Sequence, residues 1–171
     1  MSLYIEWLNQ IKEKSNESWL TDSQKKIYNL ILNKWQAQPF ICLYGKQGVG
    51  KSFLAHILAK EHNYFYSQEI NSVPSHIAQV ILDDAHYDRF IRTEALKREI
   101  GRVILISTNP AFEEAMPKIE LEINDKDICQ FQASLSKYCN ISFLYTIPEG
   151  NSFTEILLRE IVARGEKGHV N

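Results

Sequence analysis

An α/β fold on a mainly parallel sheet follows from three observations in the sequence. Short apolar runs alternate with stretches of helical periodicity. The first such run, Phe40-Ile41-Cys42-Leu43-Tyr44, is apolar on both faces, and a glycine-rich segment, Gly45 to Gly50, joins it to the next helix. A strand with no polar face must be covered on both sides, so helices lie above and below the sheet and the layers number three. The chain has 171 residues, enough for one core of ordinary size. We divide it into a helical lead-in over 1–38, a central α/β core over 39–148, and a C-terminal helix and tail over 149–171, all in one domain.

The elements follow in order. Leu3, Trp7, Leu8 and Ile11 recur at helical spacing, as do Ile27, Leu30, Ile31 and Trp35, so two helices come before the sheet. Thr21 or Asp22 is placed to cap the second, and Pro39 ends it. After the strand at 40–44, the segment from Lys51 to about Glu61 reads as a helix and Tyr64-Phe65-Tyr66 as a short strand. The stretch from Tyr66 to Val80 contains Pro74 and is too short for a full helix. A third strand, Val80-Ile81-Leu82, ends on Asp83-Asp84. A helix from Arg89 to Ile100 then leads through Gly101 into Val103-Ile104-Leu105-Ile106. The pattern predicts a strand over Lys118 to Ile123, a helix over Asp125 to Tyr138, a strand over Ile141 to Ile147 and a helix over Phe153 to Ala163.

Composition narrows the class. Apolar residues make up 44% and charged residues 23%, which gives no support to a disordered, collagen-like or coiled-coil chain. The formal net charge is −2, so a DNA contact has no support from overall charge and must be local or shared with other subunits. Cys42, Cys129 and Cys139 lack paired or zinc-type spacing, which fits a reducing compartment. The N-terminal stretch carries Glu6, Lys12, Glu13 and Lys14 and has no apolar run, so we expect a cytoplasmic protein without a membrane span.

Gly45-Lys46-Gln47-Gly48-Val49-Gly50-Lys51-Ser52 fits the pattern GxxxxGK[ST] in full, with an apolar strand before it and a helix after it. Such a loop turns backbone amides inward around phosphates, and the helix that follows adds free amides and the positive end of its dipole. The expected cradle is Gly45, Lys46, Gln47, Gly48, Val49, Gly50, Lys51, Ser52 and Phe53. Lys51 would bridge the terminal phosphates and Ser52 would hold Mg²⁺ through its hydroxyl. The loop by itself leaves open whether a bound nucleotide is hydrolysed or serves as a structural ligand.

Ligands of open parallel sheets bind outside the carboxyl ends of the strands, where Asp83 and Asp84 fall. Asp83 is placed to reach Mg²⁺, and Asp84 to orient and deprotonate an attacking water. The fourth strand likewise ends in Ser107-Thr108-Asn109-Pro110, where Asn109 or Thr108 would hydrogen-bond a terminal phosphate or its water. A loop start at Asn-Pro is the plainer reading.

The series GKQGVGKS, VILDDAH and ILISTNP, after a helical lead-in, resembles the AAA+ class of P-loop ATPases over roughly residues 20 to 125. The doubled Asp looks like the branch of replication initiators, helicase loaders and transposition helper ATPases. The resemblance implies that Lys51 and Ser52 contact phosphate and Mg²⁺, that Asp83 is the metal-bearing acid, Asp84 the catalytic acid and Asn109 the sensor. It departs from that class after Asn109, where the chain is too short for a full helical lid and has no match for the lid arginine. Arg159 and Arg164 are candidates by residue type alone, as are Arg89, Arg92, Arg98 and Arg102 for an arginine finger.

Leu20-Thr21-Asp22-Ser23-Gln24 looks a little like an adenine-reading segment, in which the Gln24 amide would pair with the base. His56, His62, His76, His86 and His169 lack metal-ligand spacing, and the tryptophans read as packing residues. The leading function is an ATP/ADP- and Mg²⁺-binding ATPase, slow or partner-stimulated, whose nucleotide state controls association with a protein partner or itself, in DNA replication or transposition. A nucleotide-gated adaptor without appreciable hydrolysis is the alternative. A small-molecule kinase, which needs only a P-loop and one domain, is a third, but no arginine-rich lid accompanies it.

Overall fold

The computed structural model describes residues 3–34, 37–84, 89–110, 116–143 and 152–167. Its centre is a five-stranded sheet of β1 (Phe40–Tyr44), β2 (Phe65–Ser67), β3 (Gln79–Leu82), β4 (Arg102–Ser107) and β5 (Lys118–Glu120). The spatial order is β2-β3-β4-β1-β5 and every pairing is parallel. Six α-helices accompany it among the described residues: α1 (Leu3–Lys14), α2 (Asp22–Asn29), α3 (Lys51–His62), α4 (Arg89–Lys97), α5 (Asp125–Cys139) and α6 (Phe153–Lys167). α2 continues into a wider π-type turn over Leu30–Lys34.

The strands sort their side chains between two apolar layers, as the two-fold period of a pleated strand requires. Ile41, Leu43, Ile81, Ile104 and Ile106 pack with α2 and α3, through Ile27, Ile31, Leu54 and Leu58. Cys42, Val80, Leu82, Val103 and Leu105 face the other way, toward Ile91 and Ala95 of α4. A third apolar cluster joins α1, α5 and α6 around Trp7, Ile11, Ile128, Phe131, Phe153 and Leu157, with Trp19 from the 3₁₀ turn Glu17–Trp19.

Several sequence expectations change in detail. The strand expected over Lys118 to Ile123 stops at Glu120, because Asn124 starts a capping box for α5 with Asp127 and the chain must turn to reach it. Ile141–Phe143 adopt no regular structure, and the rest of the strand expected to Ile147 lies outside the described residues. Between β2 and β3 there is one 3₁₀ turn, Ile70–Ser72, where a full helix had no room. Trp35, His86 and His169, and the side chain of Arg89, lie outside the described residues. No helix among the described residues is long and apolar enough to cross a membrane.

Candidate functional site

The loop from Gly45 to Gly50 leaves the carboxyl end of β1, the strand that lies between β4 and β5, and feeds directly into α3. Gly50, the N-cap of α3, sits at φ 88° and Gly48 at φ 80°, backbone conformations that side chains rarely tolerate. A Cβ on Gly50 would also run into the Phe153 ring, and one on Gly48 into Ser152. The start of α6 is thus seated on the loop, and the Phe153 amide donates to the Gly48 carbonyl at 2.9 Å.

Lys51 is buried, and its ammonium donates to the carbonyls of Gly45 (2.7 Å) and Lys46 (2.8 Å). Burial lowers the pKa of this amine, against an opposing pull from Asp83 and Asp84. The ammonium stays at the loop, where anionic oxygens would find both it and the N-terminal amides of α3.

Asp83 follows β3 directly, and its amide still donates to the Ser67 carbonyl of β2 at 2.8 Å. Its carboxylate is buried with both oxygens engaged: Oδ1 accepts the Asp84 amide at 3.0 Å, and Oδ2 accepts the Tyr66 hydroxyl. Burial, ahead of the Asp83 bond, raises the Tyr66 hydroxyl well above its usual pKa, against a smaller lowering influence of the nearby Ser52 side chain. His56, about one and a half turns along α3 from the loop, meets the Tyr66 ring edge-on at 5.2 Å. Sequence reading missed Tyr66. The signal available was strand register, which pairs Tyr66 with Ile81, two residues short of Asp83.

These groups line one cavity of about 620 Å³. Its polar side holds Gln47, Gly48, Gly50, Lys51, Ser52, Asp83 and Asp84, with Ser107 and Thr108 from the end of β4. Its apolar side is Leu8 and Ile11 of α1, Phe53 of α3, Phe131 of α5, and Phe153 and Leu157 of α6. A charged end beside an apolar wall suits a ligand with anionic phosphates and a flat hydrophobic group, and the hydroxyl and carboxylate of Ser52 and Asp83 are the hard oxygen donors a Mg²⁺ shell uses.

The remaining predicted residues fall elsewhere. Asp84 is exposed, in a turn at φ 57° beyond the end of the strand, so it does not alternate with Asp83 along a pleat. Asn109 is exposed and lies outside the cavity wall, its amide bonded to the Ser107 hydroxyl at 3.2 Å. Gly45, Lys46 and Val49 do not line this cavity either. Val49 is packed in the core, and Lys46 and Val49 line a second recess on the other side of the loop with Glu120, Glu122 and Glu155. Gln24 does not face the cavity: its oxygen accepts the Thr21 amide and its NH₂ donates to the Gly50 carbonyl.

Three of the six candidate arginines are tied into the structure by the contacts that follow. Arg98 donates to the Val73 carbonyl, the buried Arg102 donates to the Ile31 carbonyl and sits near the Tyr64 ring, and Arg164 pairs with Glu160 over Trp7. Arg159 is exposed.

No family model matches the chain, and no curated protein matches it. Among solved structures it is similar to the replication initiator DnaA bound to AMPPCP and single-stranded DNA, at 15% identity and a TM-score of 0.50, over 86% of this chain and 60% of that one. It is equally similar to a DNA replication initiation factor, at 15% identity and a TM-score of 0.51, over 84% of this chain and 59% of that one. A candidate primosome component from Streptococcus pyogenes serotype M3 aligns at 19% identity over 59% of this chain and 80% of that one, with a TM-score of 0.41. The chain spans about three-fifths of the length of the two initiators. The chain therefore shares the α/β fold of the two initiators, with a parallel sheet, a glycine-rich loop between β1 and α3, and α5 and α6 after the sheet among the described residues.

Proposed function

We propose that this chain binds ATP or ADP together with Mg²⁺ in the cavity beside Lys51, and that the bound nucleotide controls its association with a protein partner or a second copy in DNA replication. The observation that carries the reading is the convergence of Lys51, Ser52 and Asp83 on one cavity whose opposite wall is apolar. Lys51 neutralises the terminal phosphates, and Ser52 and Asp83 hold the cation. Mg²⁺, when bound, supplies the positive charge that offsets the phosphate oxygens. Leu8, Phe53, Phe131 and Phe153 enclose the base and shield that end from water. Asp84 accepts the proton of an attacking water, and Thr108, which lines the cavity at the end of β4, steadies that water.

Support for a replication setting comes from the two initiators of like fold, one of them described with AMPPCP and single-stranded DNA. A net charge of −2 favours a protein contact over broad affinity for DNA as the route into that setting. The free cysteines Cys42, Cys129 and Cys139 suit a reducing cytoplasm.

A second reading is favoured by the exposed turn position of Asp84 and by Asn109 lying off the cavity wall. In it the same nucleotide gates an adaptor without appreciable turnover. One experiment decides both points: calorimetric binding of ATP and ADP with MgCl₂, paired with phosphate release, for the wild type, Lys51→Ala and Asp84→Asn. We expect Lys51→Ala to weaken binding by at least about tenfold, the scale of one charge-assisted contact. Asp84→Asn should bind as the wild type does and release no phosphate. Absence of nucleotide binding by the wild type overturns the proposal; binding without phosphate release selects the adaptor.

A further inference from the structure

We propose that Tyr66 gates divalent-cation binding at this site: its hydroxyl occupies an Asp83 carboxylate oxygen in the cavity that Ser52 also lines, and a cation enters by displacing it. The inference rests on the reading of the cavity as a Mg²⁺-nucleotide site.

The phenol reaches Asp83 from the neighbouring strand. In the β2–β3 register Tyr66 pairs with Ile81 and Ser67 with Leu82, and the Asp83 amide continues the ladder to the Ser67 carbonyl. The Asp83 carboxylate therefore stands beside the β2 side chain best placed to satisfy it. The buried carboxylate needs donors, and it has one on each oxygen: the Asp84 amide on Oδ1 and the Tyr66 hydroxyl on Oδ2. Ser52, Tyr66 and Asp83 line the same cavity, so the hydroxyl that engages Asp83 stands among the side chains that would hold the cation. The ring is fixed from behind by His56, edge-on at an interplanar angle of 87°.

A neutral phenol is a good donor to a carboxylate, but its proton points at the lone pair that a hard cation or its water must use. Proton and cation cannot share that lone pair, so part of the free energy of cation binding is spent releasing the hydroxyl. Removing the hydroxyl removes this competition while the ring still packs against His56. Lys51 and the loop amides, which carry the phosphates, are untouched, so the effect belongs to the cation and not to the nucleotide.

The test is a MgCl₂ titration of the full chain at fixed AMPPCP, with AMPPCP binding in EDTA measured alongside, for the wild type, Tyr66→Phe and Tyr66→Leu. The expected result is a Mg²⁺ midpoint lowered by about three- to tenfold in both variants, the worth of one net hydrogen bond. Affinity in EDTA should stay within about twofold, since no phosphate contact is lost. The gain should disappear when Asp83→Asn is added, because the competed oxygen is then no longer a carboxylate. An unchanged or raised midpoint overturns the gate.

A second measurement needs no variant to fold. In the wild type labelled with ¹³C-tyrosine, the Tyr66 Cζ resonance should move when MgCl₂ is added to the AMPPCP-bound chain; a resonance that stays in place overturns the proposal. If the wild type binds AMPPCP and Lys51→Ala does not, yet the midpoint does not shift, only the gate falls. If the wild type binds no AMPPCP under either condition, the reading of the site falls, and the gate with it.

Discussion

The Gln24 NH₂ group donates to the Gly50 carbonyl at 3.3 Å while its oxygen accepts the Thr21 amide at 3.1 Å, so one side chain both caps α2 and grips the last residue of the phosphate loop. Gln24 is buried, and Thr21 completes the reciprocal capping box. The lead-in helix is thereby coupled to the loop's geometry at the point where Gly50 adopts a left-handed conformation.

Gln24→Ala breaks both links. A lost cap and a lost partly buried hydrogen bond together cost about 1–2 kcal/mol. For a chain of this size that lowers the melting temperature by about 2–8 °C. Thr21→Ala loses the cap but keeps the tie to Gly50, so it should show a similar drop in melting temperature with a smaller loss of AMPPCP affinity. Calorimetry on both variants checks this, and equal losses of affinity would show that the tie to Gly50 does not shape the loop.

Much of this architecture is legible in the sequence, for a physical reason. The strands at 40–44, 80–82 and 103–106 are apolar on both faces because both faces are covered, and the glycine pattern at 45–50 reports backbone conformations that few other residues adopt. Lys51, Ser52 and Asp83 are legible for the same reason, being fixed by short-range spacing to a strand end. What spacing does not carry is the side chain that arrives from another element. Tyr66 reaches Asp83 through β-sheet register, and Leu8 and Ile11 reach the cavity because α1 packs on α5 and α6, a relationship between segments over 100 residues apart in sequence. Gln24 shows the opposite failing: its type suggested base reading, whereas local capping chemistry claims its oxygen and the loop claims its NH₂. Asp84 sits in a turn and not on the strand because β3 ends at Leu82, so the pleat does not extend to it.

Asp127 is a structural carboxylate on which a second prediction rests. It is fully buried, accepting the Ser23 amide at 3.0 Å and the Ser23 hydroxyl at 2.7 Å from α2 and the Asn124 amide at 2.9 Å from its own helix. Asp127→Ala leaves these donors buried without an acceptor and should cost about 3 kcal/mol, read by urea unfolding. Burial opposes ionisation here, but the hydrogen bonds from Ser23 and Asn124 prevail and hold the carboxyl below its usual pKa of 3.8. Because the folded pKa is the lower one, this contribution is present above about pH 4 and is lost as the pH falls through the folded value. Asp127→Asn should cost less than Asp127→Ala and should lack that acid-dependent part. If the two variants match the wild type in urea, the network between α2 and α5 does not hold them together.

His56 gives the third prediction, at milder pH. Its ring packs on Tyr66 and lines the cavity, and its pKa is lowered from 6.5, first by burial and then by the nearby charge of Lys12, with Lys60 adding to this and Asp83 opposing it. The folded chain therefore takes up the proton less readily than the unfolded chain does. Between the lowered folded pKa and 6.5 the unfolded state binds more protons, so stability rises with pH across that window and levels off above it. Protonation also places a second cation near Lys12, which disfavours the charged ring in this position. Thermal melts of the wild type from pH 7.5 downward should show stability falling once the pH drops below about 6.5, and His56→Gln, which carries no titrating group, should remove that part of the slope. Lys12→Gln should bring the onset to lower stability down less steeply, by relieving part of the repulsion on the protonated ring. Parallel pH profiles in the wild type and His56→Gln would mean that the imidazole titrates alike in the folded and unfolded chains, and that its burial against Tyr66 carries no cost to the proton.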